Sequence, residues 1–175
     1  MLTKLLGYTI LYYEYLVIWL ELGRGVNMKL STRGRYGLKA MFQLALHYGQ
    51  GPIPLNVIAS QQELSENYLE QLFSTLRKVG LIKSVRGAQG GYMLAKHPKN
   101  ITVGNILRAL EGDMAPVYCV TDDNSSCHRE EKCVTRLVWK RMKDSINNVI
   151  DSITLQDMVD EQKEIESANK SVGGV

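Results

Sequence analysis

Apolar positions recur at helical spacing along most of the chain, and one short stretch alternates as paired strands do. Tyr36, Met41, Phe42, Ala45 and Leu46 form a stripe that predicts a helix over 32–48, with Thr32 as N-cap and Gly49, Gly51 and Pro52 as its stop. A short second helix is predicted after Pro54, burying Val57 and Ile58. The third helix is the best marked. Ser65 is an N-cap residue type, and Leu64 before it can staple onto Leu69. Leu69, Leu72, Phe73, Leu76 and Val79 keep helical spacing, and Gly80 stands where a left-handed C-cap belongs. Residues 81–86 then read as a strand, 87–91 as a glycine-rich turn and 92–95 as the return strand. Thr102 caps a helix through Ile106, Leu107 and Leu110 that Gly112 closes. After a polar loop over 113–132, a long amphipathic helix starts near Cys133, with Leu137, Val138, Met142, Ile146, Val149, Ile150 and Ile153 on one stripe. Thr154 caps a last short helix carrying Leu155, Met158 and Val159, and residues 167–175 read as a frayed tail.

Helix, turn, helix and a glycine-tipped hairpin make a winged helix-turn-helix: a mainly α fold with a small β-hairpin wing, followed by a long dimerisation helix. That helix is longer and more apolar than a domain with four helices can use, so pairing with a partner helix in a homodimer is expected, with intramolecular packing as the alternative. The chain divides into an apolar extension (1–27), a DNA-binding domain (28–112), a loop (113–132), a dimerisation helix with a short C-terminal helix (133–160) and a flexible tail (161–175). The extension is strongly apolar from Leu5 to Leu22, near the length that spans a bilayer, but Glu14 and Glu21 interrupt it. Gly23-Arg24-Gly25-Val26 is encodable by a purine-rich string resembling a ribosome-binding site just ahead of Met28. A mis-assigned start is therefore the expectation, with a helix packed on the domain or a membrane anchor as alternatives. No small-residue cleavage site follows the stretch, so a disulfide framework is disfavoured and a cytoplasmic protein without membrane attachment is expected.

Charge sharpens the picture. The net charge of +3 hides a division: residues 29–99 hold ten Lys/Arg and three Glu, whereas residues 100–175 hold nine Lys/Arg and thirteen Asp/Glu. A basic part suits a polyanion such as double-stranded DNA, although a solvated basic face explains charge alone equally well. Opposite the apolar stripe of the third helix lie Asn67, Glu70, Gln71, Ser74 and Lys78, an amide-rich face of the type that reads base edges. Arg86 beside the glycines is placed to enter a minor groove. The glycines match neither phosphate-binding fingerprint and open no helix, which disfavours a nucleotide site. His47, His97 and His128 are scattered and no acid/base pair stands out, so an enzyme is not expected and His47 reads as structural.

All three cysteines fall in Cys119-x7-Cys127-x5-Cys133. Cys133 opens a helix, and Arg129 and Lys132 add positive charge that favours thiolate. Thiolates are the ligands of iron–sulfur clusters, and the spacing fits none of the C-x2-C zinc patterns. On these residues alone, a cluster, a zinc site, a thiol redox switch and unliganded cysteines all stay open. An iron–sulfur electron-transfer protein is a rival from another class, without pocket chemistry to support it.

Met28-Lys-Leu-Ser-Thr-Arg-Gly-Arg-Tyr-Gly-Leu, Ser65-x-x-Tyr-Leu-Glu-Gln-Leu-Phe, Leu76-Arg-Lys-x-Gly-Leu-Ile and Val85-Arg-Gly-x-x-Gly-Gly-Tyr together resemble the Rrf2 family of winged-helix regulators over residues 28–160. The resemblance implies a homodimer with swapped long helices, a [2Fe–2S] cluster (a [4Fe–4S] cluster being less favoured) and control of cluster-assembly genes. It implies DNA contacts from Asn67, Tyr68, Glu70 and Gln71, with Arg86 in the wing. Glu70 is an unusual reader, able to accept from cytosine but repelling phosphate. Cys119, Cys127 and Cys133 match the cluster ligands, with two departures. The first gap is x7 rather than x5, and the family's His three residues after the last cysteine is Arg136. The fourth ligand is thus open among His128, Asp122, Asp123, Glu130, Glu131 or a group near the first helix. Arg35 stands where a nitric-oxide-sensing relative has an Asp, which argues against that variant.

Overall fold

The computed structural model describes residues 30–87, 89–122, 127 and 129–172; the extension 1–27, Asp123 and His128 lie outside them. Helix α1 (Thr32–Leu46) is capped by Ser31 rather than by Thr32. The Ser31 hydroxyl accepts from the backbone N–H groups of Arg33 (3.0 Å) and Gly34 (3.4 Å). The Glu111 carboxylate, distant in sequence, accepts from that hydroxyl at 2.5 Å and from the Gly34 N–H at 2.7 Å. A carboxylate at a helix start complements the helix dipole, and only tertiary folding brings this one there.

Helix α2 (Leu55–Gln61) buries Ile58 and Ala59 but exposes Val57, because so short a helix shows the core one narrow face. Helix α3 (Glu66–Lys78) starts as expected, the Ser65 hydroxyl accepting from the Tyr68 N–H at 3.3 Å. Leu69, Leu72, Phe73 and Leu76 are buried, whereas Val79 is the C-cap and is exposed. Gly80 follows with φ 72°, the left-handed conformation that ends the helix.

Strands β1 (Ile82–Val85) and β2 (Gly91–Leu94) pair antiparallel, in register from Ile82 opposite Leu94 to Val85 opposite Gly91. Ile82 and Leu94 anchor the base of this hairpin in the core, while Lys83, Ser84 and Val85 are exposed. Ile53 bridges to Tyr92 through two backbone hydrogen bonds of 2.9 and 2.8 Å. A Cβ on Gly91 would lie 2.2 Å from the Ile53 carbonyl oxygen, so this close approach requires glycine.

Helix α4 (Val103–Glu111) begins with a reciprocal capping box between Thr102 and Asn105, with bonds of 3.0 and 3.1 Å. It packs on α1 where Gly37 leaves room for Leu110. The core shared by these elements includes Met41, Ile58, Leu69, Phe73, Leu76 and Ile106, with the Phe73 ring edge-on to Tyr92 at 4.8 Å.

The expected loop contains two 3-10 turns, Tyr118–Val120 and Glu130–Lys132. Helix α5 (Val134–Ser152) follows, burying Lys143 and Ile150. Helix α6 (Leu155–Val172) sets Leu155 and Val159 into the core and runs on to Val172, beyond the frayed end expected from 167. Side-chain hydrogen bonds one turn apart, Gln156 to Asp160 (2.9 Å) and Gln162 to Glu166 (2.8 Å), support this outer part. No helix among the described residues is long and apolar enough to cross a membrane.

A candidate nucleic-acid interface and its thiol segment

Three of the expected base readers lie together. Asn67, Glu70 and Gln71 are exposed on α3 and, with Ser74, Arg77 and Tyr92, line an open concavity between that helix and the wing. Tyr68 is half-buried, its ring edge-on to Tyr36 at 6.3 Å, so α1 positions it. Lys78 is exposed at the end of α3 and Arg86 is exposed just beyond β1; neither lines the concavity.

Local patterning missed Arg77, Tyr92 and Arg33. The Arg77 guanidinium donates to the Ser84 hydroxyl at 3.3 Å, linking α3 to β1. A signal for Arg77 was present: it lies seven residues after Glu70, two turns along the same helix face. Arg33, on the first turn of α1, donates to the Thr75 hydroxyl at 2.9 Å, and Thr75 donates to the Gln71 carbonyl at 3.3 Å. No local signal reveals a contact between residues so far apart in the chain. The surface thus combines amide and carboxylate groups able to pair with base edges and guanidinium groups suited to phosphate.

Below this head, the three cysteines are free thiols, each half-buried. Cys119 lies in the Tyr118–Val120 turn and Cys133 is the N-cap of α5. The Cys133 sulfur lies 3.2 Å from the Thr135 hydroxyl. That hydrogen bond, then one from the Arg136 backbone, holds its pKa below the usual thiol value, with the Arg129 charge adding to the effect. Cys127 shares an open concavity with Arg129, Glu130, Glu131 and Lys132.

Thiols are the right donors for an iron–sulfur cluster, but no three Cys, His, Asp or Glu side chains are gathered as metal ligands among the described residues. Of the candidate fourth ligands, Glu130 pairs with Arg136 at 2.5 Å and Asp122 accepts from Lys143 at 2.5 Å. Arg136 also donates through Nε to the Cys119 carbonyl at 3.3 Å. Burial opposes the charge on Lys143, but hydrogen bonds and charge from Asp122 and Asp113 outweigh it and raise the ammonium pKa.

A four-helix head with a two-stranded wing folded beside α3 defines the class of winged-helix DNA-binding transcription regulators. The Rrf2 model, described as an iron-dependent transcriptional regulator, matches residues 30–161, and the chain belongs to that family. It is 48% identical over 131 residues to the HTH-type transcriptional regulator CymR of Bacillus subtilis (strain 168), covering 75% of this chain and 89% of the relative. The solved structure of that relative, described as the global cysteine regulator, matches with a TM-score of 0.63. The HTH-type transcriptional regulator IscR of Pectobacterium atrosepticum is 38% identical over 143 residues, covering 82% of this chain and 86% of the relative. The structure of T. potens IscR is 50% identical with a TM-score of 0.66, covering 78% of this chain and 90% of that one.

Proposed function

We propose that this protein is a homodimeric regulator that binds an operator through α3 and the wing, and that residues 113–133 carry its regulatory input. The observation that carries the DNA reading is the concavity shared by Asn67, Glu70, Gln71, Ser74, Arg77 and Tyr92, with Lys78 and Arg86 beside it. The homodimer is supported by α5, which leaves Val134, Leu137, Val138 and Val149 exposed. Two copies present two recognition helices to half-sites about one helical turn apart. Selection of bound fragments from a random duplex pool should enrich an inverted repeat; recovery of sequences without one overturns the reading.

For the input, the first reading is an iron–sulfur cluster on Cys119, Cys127 and Cys133, with His128 a candidate fourth ligand, reporting cluster supply to cluster-assembly genes. Its support is the donor chemistry of three thiols in one segment and the likeness to the IscR proteins. A [2Fe–2S] form is favoured over [4Fe–4S]. The second reading is a thiol redox input without a cluster, in a cytoplasmic regulator. It is favoured by Arg136 at the family's His position and by the hydrogen bonds that hold the Cys133 thiol below its usual pKa. Anaerobically purified protein should be reddish-brown and contain iron under the first reading, and colourless but responsive to oxidant under the second. Equal operator affinity for wild type, Cys119→Ala, Cys127→Ala and Cys133→Ala, with and without iron or oxidant, overturns both.

A further inference from the structure

Arg136 and Lys143 stand seven residues apart, two turns along the same face of α5. Their side chains grip adjacent carbonyls of one turn: Arg136 Nε donates to Cys119 O at 3.3 Å and Lys143 Nζ to Val120 O at 2.8 Å. Lys143, at 8% exposure the one charged residue buried among those described, also donates to Asp122 (2.5 Å) and Asp113 (3.4 Å). Asp113 accepts in turn from the backbone N–H groups of Ala115 (2.9 Å) and Asp122 (2.6 Å). The stretch from 113 to 122 is thereby closed on itself and fastened to α5 as a unit. Val134, Val138 and Val149 project from the opposite side of the same helix and are exposed.

We infer that Lys143 and Arg136 are positioning residues that couple the state of the Cys119 thiol to the pose of α5, and through it to dimer geometry and operator affinity. Cys119 itself carries one of the two gripped carbonyls and the next residue, Val120, the other, so a group added to the Cys119 sulfur crowds the turn that these cations hold. A turn pushed off the helix leaves the Lys143 ammonium buried without its oxygens, a costly state that the helix relieves by shifting. Coupling of this kind is reciprocal: whatever displaces the turn changes the helix, and releasing the helix changes the turn. The inference rests on residues 113–133 being the input segment.

The test uses full-length protein carrying Cys127→Ser and Cys133→Ser, with Cys119 alkylated by N-ethylmaleimide. The dimer dissociation constant and operator affinity should shift within a range of about 5–150-fold. Lys143→Met should produce a similar shift without reagent, and alkylation should then add little, the non-additivity expected of one coupled unit. Lys143→Arg, which keeps a cation at the carbonyl, should restore the response to alkylation. If alkylation leaves both constants within about two-fold of the unmodified protein, the coupling is refuted. This arm needs no change at 143 and stands even where Lys143→Met fails to fold. If the adduct moves the constants while iron and oxidant leave wild type unaffected, the coupling holds and the proposed input fails; the converse pattern refutes the coupling alone.

Discussion

Residues 30–111 and residues 113–152 treat their apolar side chains in opposite ways. In the first region Met41, Ile58, Leu69, Leu72, Phe73, Leu76 and Ile106 are removed from solvent, and the starts of α1, α3 and α4 are each capped. In the second, α5 buries Lys143 and Ile150 and leaves Val134 77% and Leu137 61% exposed. Burial of apolar area is the main force holding a fold together. The head satisfies it within one chain, whereas α5 keeps an apolar face available to another surface. Charge differs too: residues 30–111 hold ten Lys/Arg and four Glu, whereas residues 113–152 are nearly balanced, with six Lys/Arg and seven Asp/Glu.

The largest expected effect tests the head. Phe73→Ala should cost about 3–5 kcal/mol in denaturant unfolding, since a fully buried ring leaves a cavity. Leu137→Asp on α5 should instead leave the circular dichroism of the helices intact while converting dimer to monomer in sedimentation equilibrium. A monomer that unfolds outright would erase the contrast between the two regions.

Within the DNA face, Gln71→Ala should weaken the cognate operator by about 1–3 kcal/mol and relax base preference, whereas Lys78→Ala should weaken all duplexes alike and lower the salt slope by about one. Fluorescence anisotropy on cognate and scrambled duplexes separates these outcomes. Equal losses on both duplexes would remove Gln71 from base reading.

The smallest effect concerns Cys133. Its iodoacetamide reaction should rise with pH around a midpoint below the usual thiol value, because hydrogen bonds from Thr135 and the Arg136 backbone favour the thiolate. Thr135→Val should move that midpoint upward by removing the hydroxyl. An unchanged midpoint would mean that the hydrogen bond does not set the thiol's acidity.

Much of the head was legible because its signals are local. Ser65 with the Leu69–Leu76 stripe, Thr102 ahead of Ile106 and the glycine-tipped hairpin each express their preference within a few residues. Val57 and Val79 misled for the same reason: spacing gives a helix face but not where that face meets its neighbour or ends. Of the residues lining the concavity, Asn67, Glu70 and Gln71 followed from the pattern and Arg77 continues their helix face, but Tyr92 joined them only when the wing folded against α3. The cysteines were legible as a group in sequence, while the contacts around them, such as Arg136 on the Cys119 carbonyl, were not.

The sequence by itself therefore determined the helices, the hairpin, the exposed polar face of α3 and the location of the thiols along the chain, since each depends on spacing along a few turns of backbone. Tertiary structure alone decided that Glu111 completes the cap of α1, that Arg33 supports Thr75, and that Lys143 and Arg136 hold the Cys119 turn. These contacts join residues between 17 and 77 positions apart. No local propensity encodes them; they form because packing the apolar faces fixes which polar groups meet and leaves each to satisfy its hydrogen bonds with the partners at hand.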